Sequence, residues 1–345
     1  MRIIIVWLLA LMSAMGMLAE NRALLVGVGR YPAVTGWREI HGDADVDLLH
    51  QALKRNGFND VVPLKNARAT KSEIVKALKA LASRCRRGDK VYFHFSGHGQ
   101  HVTDLNGDEG AKGFDESIVP YDACKTTTTR IKGRFYNGEN HLIDDELNPL
   151  FAKIKNKIGK KGELFIAIDA CYSEDMERAP VADEADISPT RGAEKVLNVR
   201  KTSTLSAIPR PGNFSPGARM YVVSACRSDE RNFEYRAANG KVYGALTYFI
   251  YSLMNITMDF NTWSNMIVAK SPSLPEIFHP DQHPHHRAAR GRRRSRGHRR
   301  PAAQSLCLRC QQAALGLYRP HHHQLYPDGS SRGLRDGQPP LALVP

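Results

Sequence analysis

The sequence has no lysine after Lys270, no internal repeat, and no apolar run of membrane-spanning length beyond residue 19. The missing lysines change how the charge is interpreted. Residues 271–345 hold 12 Arg and 4 acidic residues, so +8 of the chain's +14 lies there and only +6 belongs to the first 270 residues. This end is rich in Pro, His and Arg and carries no apolar periodicity, so it reads as a disordered basic tail or as out-of-frame translation. A nucleic-acid-binding function would rest wholly on it, and no nucleic-acid partner is expected. Cysteine is scarce too, at six residues in 345; four of them, Cys85, Cys124, Cys171 and Cys226, lie in the ordered region, where an exported protein could form a disulfide that sequence alone does not assign. Cys307 and Cys310 lack a second ligand pair at zinc spacing. Hydrophobic residues at 42% and charged residues at 24% exclude collagen-like, wholly disordered and multi-span membrane classes.

The chain opens on Arg2 and an apolar run from Ile3 to Ala19, with small residues near Ala14 and Ala19. Residues 1–19 read as a secretory signal peptide: a positive start, an apolar middle and small residues for cleavage. Export to the periplasm or the exterior follows, with no stable membrane insertion once the signal is removed. Residues 20–270 then alternate β-rich runs with helical patterns, which implies strands joined by crossover helices in a mainly parallel sheet. Ala23 to Val28 is a buried-strand run, and Asp45 to Phe58 a helix with Leu49 and Leu53 at helical spacing. Val61 and Val62 form a short strand. Thr70 and Glu73 make a capping box for a helix with Ile74, Leu78 and Leu81 inward. Val91 to Phe95 and Leu164 to Ile168 are strands, separated by a helix that opens on Asp144, Asp145 and Glu146 at its positive end. Periodicity lapses from Pro180 to Gly217, then resumes with a strand at Met220 to Ala225 and a helix from Gly244 to Met254.

In open parallel sheets, ligands bind where strands end at their carboxyl edge. Ser96-Gly97-His98-Gly99 follows one such strand and Asp169-Ala170-Cys171 another. A lone Cys or a lone His is usually structural. A His and a Cys at equivalent strand ends, with glycines that admit a substrate backbone, make the pair that thiolate attack on a carbonyl requires.

Together with Asp108-Glu109, Asp115-Glu116, Val119-Pro120-Tyr121-Asp122, Ile143-Asp144-Asp145-Glu146, Val223-Ser224-Ala225-Cys226 and Gly244-Ala245-Leu246-Thr247, these motifs resemble the caspase-like cysteine peptidases, and within them the bacterial metacaspase type. The resemblance runs from about Ala23 to Lys270. It implies a caspase-like three-layer α/β/α sandwich with a mainly parallel six-stranded sheet. Its large-subunit region would be residues 20–180, its linker 181–218 and its small-subunit region 219–270. It also implies Cys171 as nucleophile, His98 as its partner, and an oxyanion hole made of the Gly99 and Cys171 amides. The spacing from His98 to Cys171 exceeds the about 50 residues of caspases, which a polar insertion over residues 123–140 accounts for. Ser173-Glu174-Asp175 departs from the Ser-Gly that usually follows the nucleophile.

Where caspases that cut after Asp place a Gln, this chain has Asp169. By resemblance, Asp169 and Asp45 line a negative pocket, with Ser96 and Ser224 among the substrate-binding residues. A carboxylate pocket suits peptide or protein substrates with Arg or Lys before the cleaved bond. Asp45 would equally serve as a helix N-terminal carboxylate. No cofactor is required for the chemistry, but many relatives take calcium at carboxylates matched by Asp115, Asp144 and Asp145, with Arg178 at the fourth position. Asp104 to Glu109 is not an EF-hand loop, because Glu109 stands where Gly is needed. Lys195, Arg200 and Lys201 in the linker suit self-processing. The reading is therefore an exported, monomeric, arginine- or lysine-directed cysteine endopeptidase. A catalytically inactive caspase-fold scaffold is the alternative.

Overall fold

The computed structural model describes residues 19–107, 113–172, 191–193, 195–200, 217–225 and 232–270. Most of the expected signal, the segment 173–190 with Arg178, Lys201, Cys226 and the basic tail lie outside the described residues. No helix among the described residues is long and apolar enough to cross a membrane.

Five strands form the central sheet: β1 (Asn21–Gly27), β2 (Asp60–Lys65), β3 (Lys90–Ser96), β9 (Glu163–Asp169) and β10 (Arg219–Ser224). Their order is β10-β9-β3-β1-β2, every neighbouring pair is parallel, and five strands rather than six are present among the described residues. Successive residues of a strand face opposite sides, so β1 divides its apolar side chains between two layers. Ala23 and Leu25 pack with α1 (Gly42–Arg55), α4 (Ala245–Met254) and α5 (Phe260–Lys270). Leu24 and Val26 pack with α2 (Lys71–Arg84) and α3 (Asp144–Ile158). The result is the expected three-layer α/β/α sandwich. Its core strands read as near-continuous apolar runs because both faces are covered.

Local chemistry sets the helix starts. The Thr70 side chain accepts from the Glu73 amide at 3.4 Å and caps α2. Three acidic residues occupy the first turn of α3, where the backbone amides leave positive charge. The buried Arg22 ties the bottom of β1 to Asp60 and Asp89, each at 2.8 Å.

A second, antiparallel sheet of β4 (Gly99–Thr103), β5 (Phe114–Ile118) and β8 (Leu142–Ile143) extends from the carboxyl end of β3. The polar insertion is not a plain loop. It contains the hairpin β6 (Arg130–Ile131) and β7 (Arg134–Phe135), and it buries Cys124 and Tyr136. A last hairpin, β11 (Glu234–Arg236) with β12 (Val242–Gly244), leads into α4.

Candidate active site

Pairing of β3 with β9 places Ser96 opposite Asp169, and the Gly97 amide donates to the Asp169 carbonyl at 3.3 Å. The two reactive turns therefore leave the sheet side by side. They pack so closely that a Cβ on Gly99 would lie 2.6 Å from the Cys171 carbonyl oxygen, which only glycine permits.

His98 is buried and held on several sides. Its amide donates to Tyr31 Oη at 3.1 Å, and that hydroxyl donates to the Val119 carbonyl at 3.0 Å. The Trp37 ring stacks on the imidazole with centroids 4.8 Å apart. Nε2 lies 2.9 Å from the Arg38 carbonyl, and a carbonyl only accepts, so Nε2 carries the proton and Nδ1 the lone pair. Nδ1 has no hydrogen-bond partner. Burial, with the positive charges of Arg191 and Lys125, pushes His98 down to about 3 against the pull of the Arg38 carbonyl. The imidazole is thus a neutral base at neutral pH.

The residue that organises the site is Arg191, which lies inside the segment read as a linker. Its carbonyl oxygen accepts from the Gly99 amide at 3.1 Å and the Cys171 amide at 3.0 Å. Its own amide donates to the Asn232 carbonyl at 3.2 Å. Its guanidinium is fully buried: Nη1 donates to Ser96 Oγ at 2.5 Å, and Nη2 donates to Asp45 Oδ2 at 3.0 Å and Glu234 Oε1 at 2.8 Å. Asp169 Oδ1 lies 3.6 Å from Nη1. Lys195 and Arg200, expected as processing sites, are exposed and lie outside this pocket.

Each carboxylate is fixed by a further set of donors. Asp45 takes the Gly244 amide and Ser96 Oγ, Asp169 takes the Thr247 amide and hydroxyl and Asn232 Nδ2, and Glu234 takes the His41 amide and Nδ1. Asp45 therefore does two jobs, in the first turn of α1 and against the guanidinium. Burial pushes Asp45 up to about 7, with the neighbouring Asp169 adding to it and Arg191 opposing. Burial also raises Asp169, but Arg191, Thr247 and Asn232 outweigh it and hold that carboxyl below its usual range. The three carboxylates raise the Arg191 guanidinium despite its burial, so it stays charged.

Of the expected residues, His98, Gly99, Cys171, Asp45, Ser96 and Asp169 converge here, and Ser224 ends the adjacent strand β10, buried. Asp115, Asp144 and Asp145 are also buried, on β5 and the first turn of α3. Asn106 Nδ2 donates to Asp145. Among the described residues no three His, Cys, Asp or Glu side chains form a metal-holding group. Sequence reasoning missed Arg191, Glu234, Asn232 and Thr247 in the pocket, and Tyr31, Trp37 and Arg38 around His98. The signal for Arg191 was present: a basic residue followed by the small pair Gly192-Ala193.

Fold and site together define a caspase-like α/β protein, with a cysteine and a histidine at neighbouring strand ends beside an acidic pocket. Residues 21–180 match the family model described as metacaspase, peptidase C14 domain, so this region is similar to the metacaspases. Metacaspase-2 of Arabidopsis thaliana is 26% identical over 270 residues, covering 75% of this chain and 57% of its own. Metacaspase-3 of the same plant is 30% identical over 179 residues, covering 52% and 42%. Metacaspase-1 of Schizosaccharomyces pombe is 26% identical over 239 residues, covering 66% and 49%. The chain spans about half the length of these curated relatives. A crystal structure of a Geobacter sulfurreducens protein shares the fold, with TM-score 0.51 and 20% identity over 74% of this chain and 90% of that one.

Proposed function

We propose that the protein is a cysteine endopeptidase that hydrolyses peptide bonds after arginine or lysine, and that the first bond it meets is its own Arg191–Gly192. One observation carries this reading: Arg191 lies across the site as a substrate would, with its carbonyl on two amides and its guanidinium among three carboxylates.

The chemistry balances on groups already described. Cys171 Sγ bonds to the Arg191 carbonyl carbon as its proton passes to His98 Nδ1. The resulting oxyanion stays on the Gly99 and Cys171 amides, donors of a kind whose removal costs about 10²–10³ in rate. The carbon–nitrogen bond breaks as His98 returns the proton to the Gly192 nitrogen, leaving a thioester on Cys171. Water then adds to the thioester, His98 relays one of its protons to the departing sulfur, and the carboxylic acid left at Arg191 gives its other proton to solvent. The Arg38 carbonyl keeps the imidazole in the tautomer whose Nδ1 can accept.

The occupied pocket and fully buried Cys171 would also suit an inactive scaffold plugged by its own chain. Mass spectrometry separates the two readings. The enzyme yields a fragment ending at Arg191 and hydrolyses an arginyl-aminocoumarin peptide, and Cys171→Ala loses both. A wild-type chain that does neither is the scaffold.

A further inference from the structure

We propose that the edge of β4 opposite β5 is a docking groove for the substrate chain on the far side of the cleaved bond. It would take an extended peptide with apolar side chains at the sixth and eighth positions after the scissile arginine. This rests on reading Arg191–Gly192 as a substrate bond, because the same segment that crosses Cys171 continues along β4.

Backbone contacts set the register. The Leu197 amide donates to the His101 carbonyl at 2.8 Å and the Thr103 amide to the Leu197 carbonyl at 3.1 Å, a parallel bridge between Val102 and Leu197. Gln100 Nε2 donates to the Lys195 carbonyl at 2.9 Å, and the Val199 amide to Thr103 Oγ1 at 3.3 Å. Asn137 closes the far end, donating to the Arg200 carbonyl at 2.9 Å and accepting from the Arg200 amide at 2.8 Å. These contacts read main chain, so they would admit many sequences, as strand addition to a sheet edge does.

Side chains supply the selectivity. Leu197 and Val199 are buried while Asn198 and Arg200 are exposed, the period of two expected of an added strand. Leu197 and Val199 sit in an apolar cluster with Val102, Cys124, Tyr136 and Ile143, apart from the two main cores. At Gly138, whose φ is +85°, a Cβ would lie 2.4 Å from a Val199 methyl, so glycine keeps the groove open. A buried relay holds the Gln100 side chain that reaches across. Tyr136 Oη donates to His141 Nδ1 at 2.7 Å, and His141 Nε2 donates to Gln100 Oε1 at 2.9 Å, turning the Gln100 amide nitrogen toward the segment. The insertion thus builds one wall of the groove, which gives the extra length between His98 and Cys171 a use.

The test compares three full-length chains: wild type, Leu197→Asp/Val199→Asp and Leu197→Ile/Val199→Ile. Each is followed for the fragment ending at Arg191 and for hydrolysis of a short arginyl-aminocoumarin that has nothing beyond the cleaved bond. The Asp pair should slow self-cleavage by about tenfold to a hundredfold, the cost of misplacing a reacting bond, while short-substrate hydrolysis per cleaved chain equals wild type. The Ile pair should cleave at the wild-type rate. Self-cleavage of the Asp pair at the wild-type rate overturns the proposal. Loss of short-substrate hydrolysis per cleaved chain also overturns it, because residues 195–200 would then be part of the scaffold. A wild-type chain that cleaves neither itself nor the short peptide strikes the peptidase reading instead.

Discussion

His94 and His98 lie four residues apart, both buried, both pushed down by burial, to about 4 and about 3. They differ in what their ring nitrogens do. His94 Nδ1 lies 3.0 Å from Tyr92 Oη and Nε2 3.1 Å from Thr247 Oγ1, so both nitrogens are used inside the core. His98 spends one nitrogen on the Arg38 carbonyl and leaves the other without a hydrogen-bond partner. Burial and a depressed pKa therefore do not separate the two histidines. A nitrogen without a partner does, because buried polar groups are ordinarily satisfied and an exception calls for a use.

That contrast can be broken by exchange. His98→Ala should lower arginyl-peptide turnover by about 10³-fold, within the range of a lost general acid–base, in a chain whose melting curve shows it still folded. His94→Gln should reverse the pattern: kcat/KM within a few-fold of wild type, and stability lower by about 1–3 kcal/mol in urea titration because Tyr92 and Thr247 lose a partner. A His94→Gln chain that folds as stably as wild type but cannot cleave would invert the assignment.

The pH dependence of stability sharpens the same pair. A histidine that is neutral when folded and protonates near 6.5 when unfolded stabilises the protein above that pH and loses its contribution as pH falls toward its folded value. For His94 the loss runs from about 6.5 to about 4, at about 1.4 kcal/mol per pH unit. Denaturant midpoints for His94→Gln should accordingly fall less steeply with acid than those of wild type. Asp45 acts in the opposite direction: raised to about 7, it favours the folded state at low pH and ceases to as pH rises through 7.

The smallest effect should come from the stacking partner. Trp37→Leu removes the ring over His98 without touching either nitrogen, and should reduce kcat by about tenfold or less while KM holds.

Strand and helix periodicity made the parallel sheet and its crossover helices legible and strand-end position made His98 and Cys171 legible, while the sandwich and the pocket roles of Ser96 and Asp169 came with the family resemblance. Asp45 was legible only with an alternative, because a helix-start carboxylate and a pocket carboxylate look alike in one dimension. Glu234 and Asn232 were hidden in a polar stretch between β10 and α4, where no period marks which residues turn inward. Arg38 acts through its carbonyl, which every residue possesses. Leu197 and Val199 alternate correctly but over too few residues to stand out from the irregular stretch around them.

β10 lies in register along β9, and α4 and α5 share a core with α1. Severing the backbone after Arg191 would therefore not release two proteins. The pieces would remain laminated as one particle, held by the interior they share, and the cut would free only the strand end that had been blocking the cleft.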